Sequence, residues 1–132
     1  MSKDSIDTMA SWHRVAKGRD VKGLYNLIAE GAVFHSPVVH TPQVGKEITF
    51  KYLSAAFDVF FNDSFEYVRE VQGERHAVLE FELVLQGIKV NGVDMISWNE
   101  AGLITEFKVM IRPLKAVTII HQHMGAMLQS QR

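Results

Sequence analysis

Ala77-Val78-Leu79-Glu80-Phe81-Glu82-Leu83-Val84-Leu85 is the stretch on which the fold turns. Ala77, Leu79, Phe81, Leu83 and Leu85 alternate with Val78, Glu80, Glu82 and Val84. Successive strand side chains point to opposite faces, so this alternation predicts a half-buried strand. Downstream, Val90 to Trp98 reads as the next strand, and Asn99-Glu100-Ala101-Gly102 as a hairpin turn containing Gly. Leu103 to Ile111 is then the last strand of the meander. Upstream, Phe65, Tyr67 and Val71 are expected on one face of a further strand.

Before Phe65 the period is helical. Ile6, Met9, Ala10 and His13 recur at helical spacing with Trp12, Val15 and Ala16 beside them, and Gly18 ends that helix. Asp20 reads as the N-cap of a second helix with a stripe of Val21, Leu24, Tyr25 and Ile28, closed by Gly31. A short extended piece, Ala32 to Ser36, is stopped by Pro37. After the loop from His40 to Gly45, a third helix buries Ile48, Tyr52, Ala55, Ala56 and Val59, and Asn62-Asp63 breaks it. Near the C-terminus, Val117-Thr118-Ile119-Ile120 favours a strand by propensity. Pro113 suits a first helical turn, however, and Leu114, Val117, His121, Met124 and Leu128 make a helical stripe, so 114–128 is predicted as helix. Helices segregated from an antiparallel meander define the α+β class.

Composition narrows the function classes. A chain of 132 residues predicts a single domain over 1–132 that needs no disulfide or metal to fold. With no Cys, a disulfide framework, a zinc–thiolate site and a thiol nucleophile are excluded. Fourteen Lys and Arg against fifteen Asp and Glu give no support to a nucleic-acid partner. Met1 to Asp7 lacks the apolar stretch of a signal peptide, and no apolar run approaches the ~20 residues that cross a bilayer. The expectation is a cytoplasmic protein with no membrane partner, no cofactor and no metal.

The order of elements, with Phe34-His35-Ser36-Pro37 ahead of a Gly45-Lys46-Glu47-Ile48 helix start, resembles the nuclear-transport-factor-2-like superfamily. Its SnoaL-like polyketide-cyclase and ketosteroid-isomerase branches are the nearest in pattern. Asp20-Val21, Ala32 to Pro37, and Val93 to Phe107 carry the likeness, which spans nearly the whole chain. The resemblance implies a cone, in which a curved antiparallel or mixed sheet wraps around N-terminal helices and leaves an apolar pocket. It also implies a small hydrophobic ligand and a homodimer paired through the outer sheet face. Function stays open on this ground alone, because the superfamily holds isomerases, cyclases, hydrolases and binders.

The ketosteroid-isomerase pattern sets a carboxylate base just before the Pro of the first strand, and here that residue is Ser36. A lone hydroxyl is too weak a base to take a carbon-bound proton. The pattern also pairs a helix-one Tyr with a protonated strand Asp. The first position falls on Trp12, whose indole donates one hydrogen bond and does not titrate, while the Asp is retained as Asp94. Ordinary ketosteroid isomerisation by that mechanism is therefore not expected. The epoxide-hydrolase pattern needs an Arg where Gly92 stands and a second Asp near Lys108 or Met110, so its triad is absent.

Among the residues themselves, Asp94 shares a strand face with Ile96 and Trp98, which predicts desolvation, a raised pKa and use as an acid. The alternative is an Asp satisfied by a side chain or water, or exposed at a bend near Gly92. His35 and Ser36 are adjacent and should face opposite ways unless Pro37 marks a bulge; His40 flanks the same loop. On a helix His121 and His123 lie about 200° apart and share no ligand face. Tyr52 is placed to reach the pocket near Asp94; Tyr25 and Tyr67 have no such argument. Trp12, Phe34, Leu79, Phe81, Ile96, Trp98, Phe107, Val109 and Ile111 are expected to line the pocket, sharing their faces with the core. The opposite face carries Glu80, Glu82, Met95, Ser97, Glu106, Lys108 and Met110, a solvated surface or a polar dimer interface. The candidate catalytic set is Asp94, Trp12, Tyr52, Ser36 and His35. Three readings follow: acid–base chemistry on a carbonyl-bearing substrate, ligand binding without turnover, and a protein-interaction module.

Overall fold

Two aspartates start the first two helices. Asp7 accepts a hydrogen bond from the Ala10 N–H at 3.0 Å and opens α1 (Thr8–Gly18). Asp20 does the same for Gly23 at 3.0 Å and opens α2 (Val21–Leu27). Each carboxylate satisfies a first-turn N–H that the helix itself leaves free. A Cβ on Gly23 would lie 2.5 Å from Asp20 Oδ2, so a larger residue there would make the capping carboxylate shift. The turn between these helices puts its left-handed residue on Arg19, one beyond the expected Gly18.

These positions come from a computed structural model that describes residues 7–130. Ile6, expected in the first helical stripe, lies outside the described residues. The chain continues through β1 (Ile28–His35), β2 (Gln43–Val44), α3 (Lys46–Phe60), β3 (Glu66–Gln72), β4 (His76–Leu85), β5 (Ile88–Trp98), β6 (Ile104–Arg112) and α4 (Leu114–Ser130). Six strands form one curved, unclosed sheet in the order β2-β1-β6-β5-β4-β3. β1 runs parallel to β6 and every other pairing is antiparallel, so the sheet is mixed. α3 packs on β1, and α4 lies against α3 and against β5 and β6. Among the described residues no helix is long and apolar enough to cross a membrane.

The period-two reading of β4 holds, with Ala77, Leu79, Phe81 and Leu83 buried and Val78, Glu82 and Val84 exposed. Expectations for the second helix, the first strand, Gly31 and Val71 need correction. The second helix stops at Leu27, and the first strand starts at Ile28 rather than Ala32. Its register against β6 shifts between Ile28 and Val33, so Gly31 sits in the irregular part of a strand and closes no helix. Val71 does not share a face with Tyr67. Tyr67 pairs with Phe81 but Arg69 pairs with Glu80, so one extra residue turns Val71 outward beside Val78, where it is 61% exposed.

The third helix buries Thr49, Leu53, Ala55, Phe57, Val59 and Phe60, so Ala55 and Val59 are buried as expected, while Ile48, Tyr52 and Ala56 are half-buried beside them. On α4 the buried line is Ala116 and Ile120, continued by half-buried Met124 and Met127, while Leu114 is 80% exposed. Pro113 offers its carbonyl to the N–H groups of Ala116 and Val117, so the helix begins at Leu114 and its first side chain stays in water.

Candidate functional site

Three strands bring the inner face to one point. Asp94 on β5 is flanked in register by Leu79 on β4 and Val109 on β6. Two residues along, on the same face, Gly92 pairs with Phe81. A Cβ at Gly92 would come within 2.5 Å of the Phe81 ring and 2.6 Å of the Met110 carbonyl. Gly92 is therefore required by the Phe81 ring, which packs in turn edge-on to Phe60 at 5.6 Å and stacked with Phe65 at 5.5 Å. This aromatic wall stands beside the one buried carboxyl among the described residues.

Asp94 is 6% exposed. The Tyr67 hydroxyl donates to its Oδ2 at 2.8 Å, and the Trp12 indole N–H donates to the Tyr67 oxygen at 3.1 Å. Burial pushes the Asp94 carboxyl up to about 7, against the opposing pull of the Tyr67 hydrogen bond. The Tyr67 phenol is pushed well above its ordinary value by burial, then by the Asp94 charge, so it remains a donor. Among the described residues Oδ1 of Asp94 has no hydrogen-bond partner and is not sealed from the cavity. One carboxyl oxygen is thus held and the other is free to meet a ligand.

The cavity has a volume of about 210 Å³. Its walls are the inner sheet (Phe81, Asp94, Phe107, Val109), α1 (Trp12), α3 (Tyr52, Leu53, Ala56, Phe60), α4 (Ile120, His121, Met124, Gly125, Leu128), Phe34 and the loop Ser36 to Val39. Phe61 and Phe65, between α3 and β3, complete it. Of the expected lining, Trp12, Phe34, Phe81, Phe107 and Val109 are in place. Leu79 and Ile96 are not: both are fully buried in the core, where neighbouring side chains occupy the space in front of them. Trp98 and Ile111 pack against the core's edge without reaching the cavity.

The remaining candidates separate. Ser36 lines the cavity, but its Oγ already accepts from the N–H groups of Val38 and Val39 at 3.0 and 3.2 Å. His35 faces the other side of the sheet, with Nε2 2.8 Å from Glu106 Oε2, so no Ser–His pair forms. Tyr52 lines the cavity stacked on Phe34 at 5.1 Å, and among the described residues it makes no hydrogen bond to Asp94. The partner of Asp94 is Tyr67, which the sequence put on the buried face without linking it to the acid. Contact between them spans 27 positions across a bulged pairing, and no local pattern marks it. The α4 residues were legible as a stripe but not as a cavity wall. His121 lines the cavity and His123 does not, as their separation on a helix requires. Among the described residues no group of three or more His, Asp or Glu could hold a metal ion.

A family model described as the SnoaL-like domain matches residues 9–107. Among solved structures, the chain is similar to a steroid delta-isomerase from Pseudomonas aeruginosa, with 35% identity, coverage of 94% of this chain and 90% of that one, and a TM-score of 0.88. It is also similar to an uncharacterized protein with a cystatin-like fold from Silicibacter pomeroyi, with 30% identity, coverage of 91% and 84%, and a TM-score of 0.83. The epoxide hydrolase/cyclase-like enzyme SalBIII shares the fold at 17% identity, covering 82% and 90%, with a TM-score of 0.64. No curated protein matches the chain.

Proposed function

Because the chain belongs to the SnoaL-like domain family, we propose that its cavity takes a small hydrophobic molecule bearing a carbonyl, which Asp94 binds as an acid. The observation that carries this reading is Asp94 itself: buried, held at Oδ2 by Tyr67, free at Oδ1, and set in a mostly apolar wall. With its pKa at about 7, a substantial share of Asp94 is protonated at neutral pH and can donate to a carbonyl oxygen. That hydrogen bond strengthens as negative charge grows on the oxygen during enolisation, the step common to isomerase, cyclase and lyase chemistry. Tyr67 and Trp12 then act as positioning residues behind the acid.

Turnover also requires a proton acceptor. Ser36 is engaged in its own turn, whereas His121 lines the same cavity with the side-chain type suited to that task. Hydrogen–deuterium exchange at carbons next to the carbonyl of simple cyclic ketones, followed by NMR, tests the reading without knowledge of the product. The protein is expected to accelerate exchange, and Asp94→Asn to lose that acceleration by about 100-fold. Full acceleration in Asp94→Asn removes the acid role. The engaged Ser36 hydroxyl favours a second reading, a binder without turnover, whose signature is ketone binding with no exchange.

The outer sheet face supports a homodimer. Exposed Met95 and Met110 lie among Arg69, Glu80, Glu106 and Lys108, a mixture of signs that can pair with a copy of itself across a two-fold axis. A monomer by sedimentation at micromolar concentration counts against this arrangement, and Met110→Glu should dissociate a dimer.

A further inference from the structure

We infer that the occupant is a compact, neutral, single-ring carbonyl compound that enters carbonyl first, and that a four-ring molecule is too large. This rests on the acid reading of Asp94 and adds the size, charge and orientation of what that acid meets.

Size follows from the cavity. A dry cavity of about 150 Å³ takes a benzene ring, so about 210 Å³ encloses about eight or nine non-hydrogen atoms. Deeper penetration is blocked where Phe60, Phe65 and Phe81 pack on one another. Shape follows from the walls: Phe34, stacked with Tyr52 at 5.1 Å and with Phe107 at 6.3 Å, makes with them a wall of near-parallel rings along the cavity, which suits a flat occupant.

Orientation follows from where the polar groups stand. Asp94 is the buried polar group of the lining, while His121 is exposed at the rim. Neutrality follows from charge, because no Lys or Arg lines the cavity among the described residues, and a ligand carboxylate beside Asp94 would be repelled.

Gly125 supplies an independent observation. It sits within α4, and a Cβ there would meet nothing within 4 Å. Glycine inside a helix is about 1 kcal/mol less favourable than alanine, and no packing constraint asks for it here. What it does is leave width in the cavity wall. A bare helix surface at this point leaves room for a ring substituent.

Four probes measured by calorimetry test the inference: acetophenone, its apolar analogue isopropylbenzene, its charged analogue benzoate, and a four-ring steroid enone. Acetophenone is expected to bind, and to weaken about tenfold or more between pH 5.5 and pH 8.5 as Asp94 ionises. Isopropylbenzene should bind with no such pH dependence, benzoate should fail at pH 8.5, and the steroid should bind at least tenfold more weakly than acetophenone. Gly125→Leu should weaken acetophenone and isopropylbenzene about tenfold while the melting temperature is kept. In Asp94→Asn the pH dependence of acetophenone binding should vanish.

A steroid that binds as tightly as acetophenone overturns the size class and leaves the acid reading standing. Benzoate binding as tight as that of acetophenone overturns the neutral class. Acetophenone binding that is flat with pH in the unaltered protein overturns the carbonyl-first orientation. Binding of none of the four overturns the inference as a whole, and ketone proton exchange then judges the acid reading on its own.

Discussion

The two faces of β4, β5 and β6 are made from the same strands, yet their carboxyls behave as different chemical groups. Inside, Asp94 is enclosed by aromatic rings, keeps one hydrogen-bond partner and holds its proton up to about 7. Outside, Glu80 sits 3.3 Å from Arg69 Nε and Glu106 2.8 Å from His35 Nε2, both within reach of solvent. Alternation along a strand is the cause. One step in sequence exchanges water for hydrocarbon, and removing water penalises the charged form far more than a surface ion pair helps it. The strands thus carry a buried acid and a solvated surface with no change of backbone conformation.

The largest test of this contrast is stability against pH. Below about pH 4 Asp94 is protonated in both the folded and the unfolded chain. Between there and about pH 7 only the unfolded chain releases the proton, so the folded state loses up to about 4 kcal/mol over that window and no more above it. Asp94→Asn should remove that decline, making the variant more stable than the parent at pH 8 by about 2–4 kcal/mol and little different at pH 4. Urea unfolding at both pH values gives the answer; a parent whose Asp94-dependent stability is flat with pH would make the two faces electrostatically alike.

Shape comes next. Gly92→Ala should cost about 1–3 kcal/mol, because the added Cβ meets the Phe81 ring and the Met110 carbonyl. An unchanged urea midpoint would mean that the inner face yields as readily as the outer one. Smaller again is Tyr67→Phe, which strips Asp94 of its donor and Trp12 of its acceptor at about 1–2 kcal/mol. Because the Tyr67 hydrogen bond holds the Asp94 pKa down, NMR titration of the carboxyl should show it moving further up. A downward move would contradict the assigned cause. The smallest effect belongs to the outside: Arg69→Gln should change stability by no more than about 0.5 kcal/mol, and a larger loss would show that outer face to be more than a solvated one.

The elements differed in how much of themselves the sequence displayed. β4 was readable residue by residue, because a half-buried strand in a sheet has only two environments and the chain alternates between them. Ile28 completes a helical spacing with Val21, Leu24 and Tyr25, yet pairing with Ile104 on β6 draws it into the sheet. Val71 departs from its expected face through a single extra residue between Tyr67 and Arg69, which reverses the faces beyond it. Leu114 and Leu79 show the same limit from opposite ends. An apolar residue in a good pattern can lie in water, in core or on a cavity wall, and the pattern does not distinguish them.

By itself the sequence determined the α+β class, the cap at Asp20, the inward placement of Asp94 and the separation of His35 from Ser36. Each of these follows from local periodicity or from a bond between near neighbours, and such forces act within a few residues. Only the tertiary structure decided that Tyr67 and Trp12 hold Asp94, that α4 supplies a cavity wall with Gly125 and His121, and that Leu79 and Ile96 are core. Those outcomes depend on which distant surfaces meet and on how much space remains between them. Space left unfilled is a property of the packed whole, and no residue carries it alone.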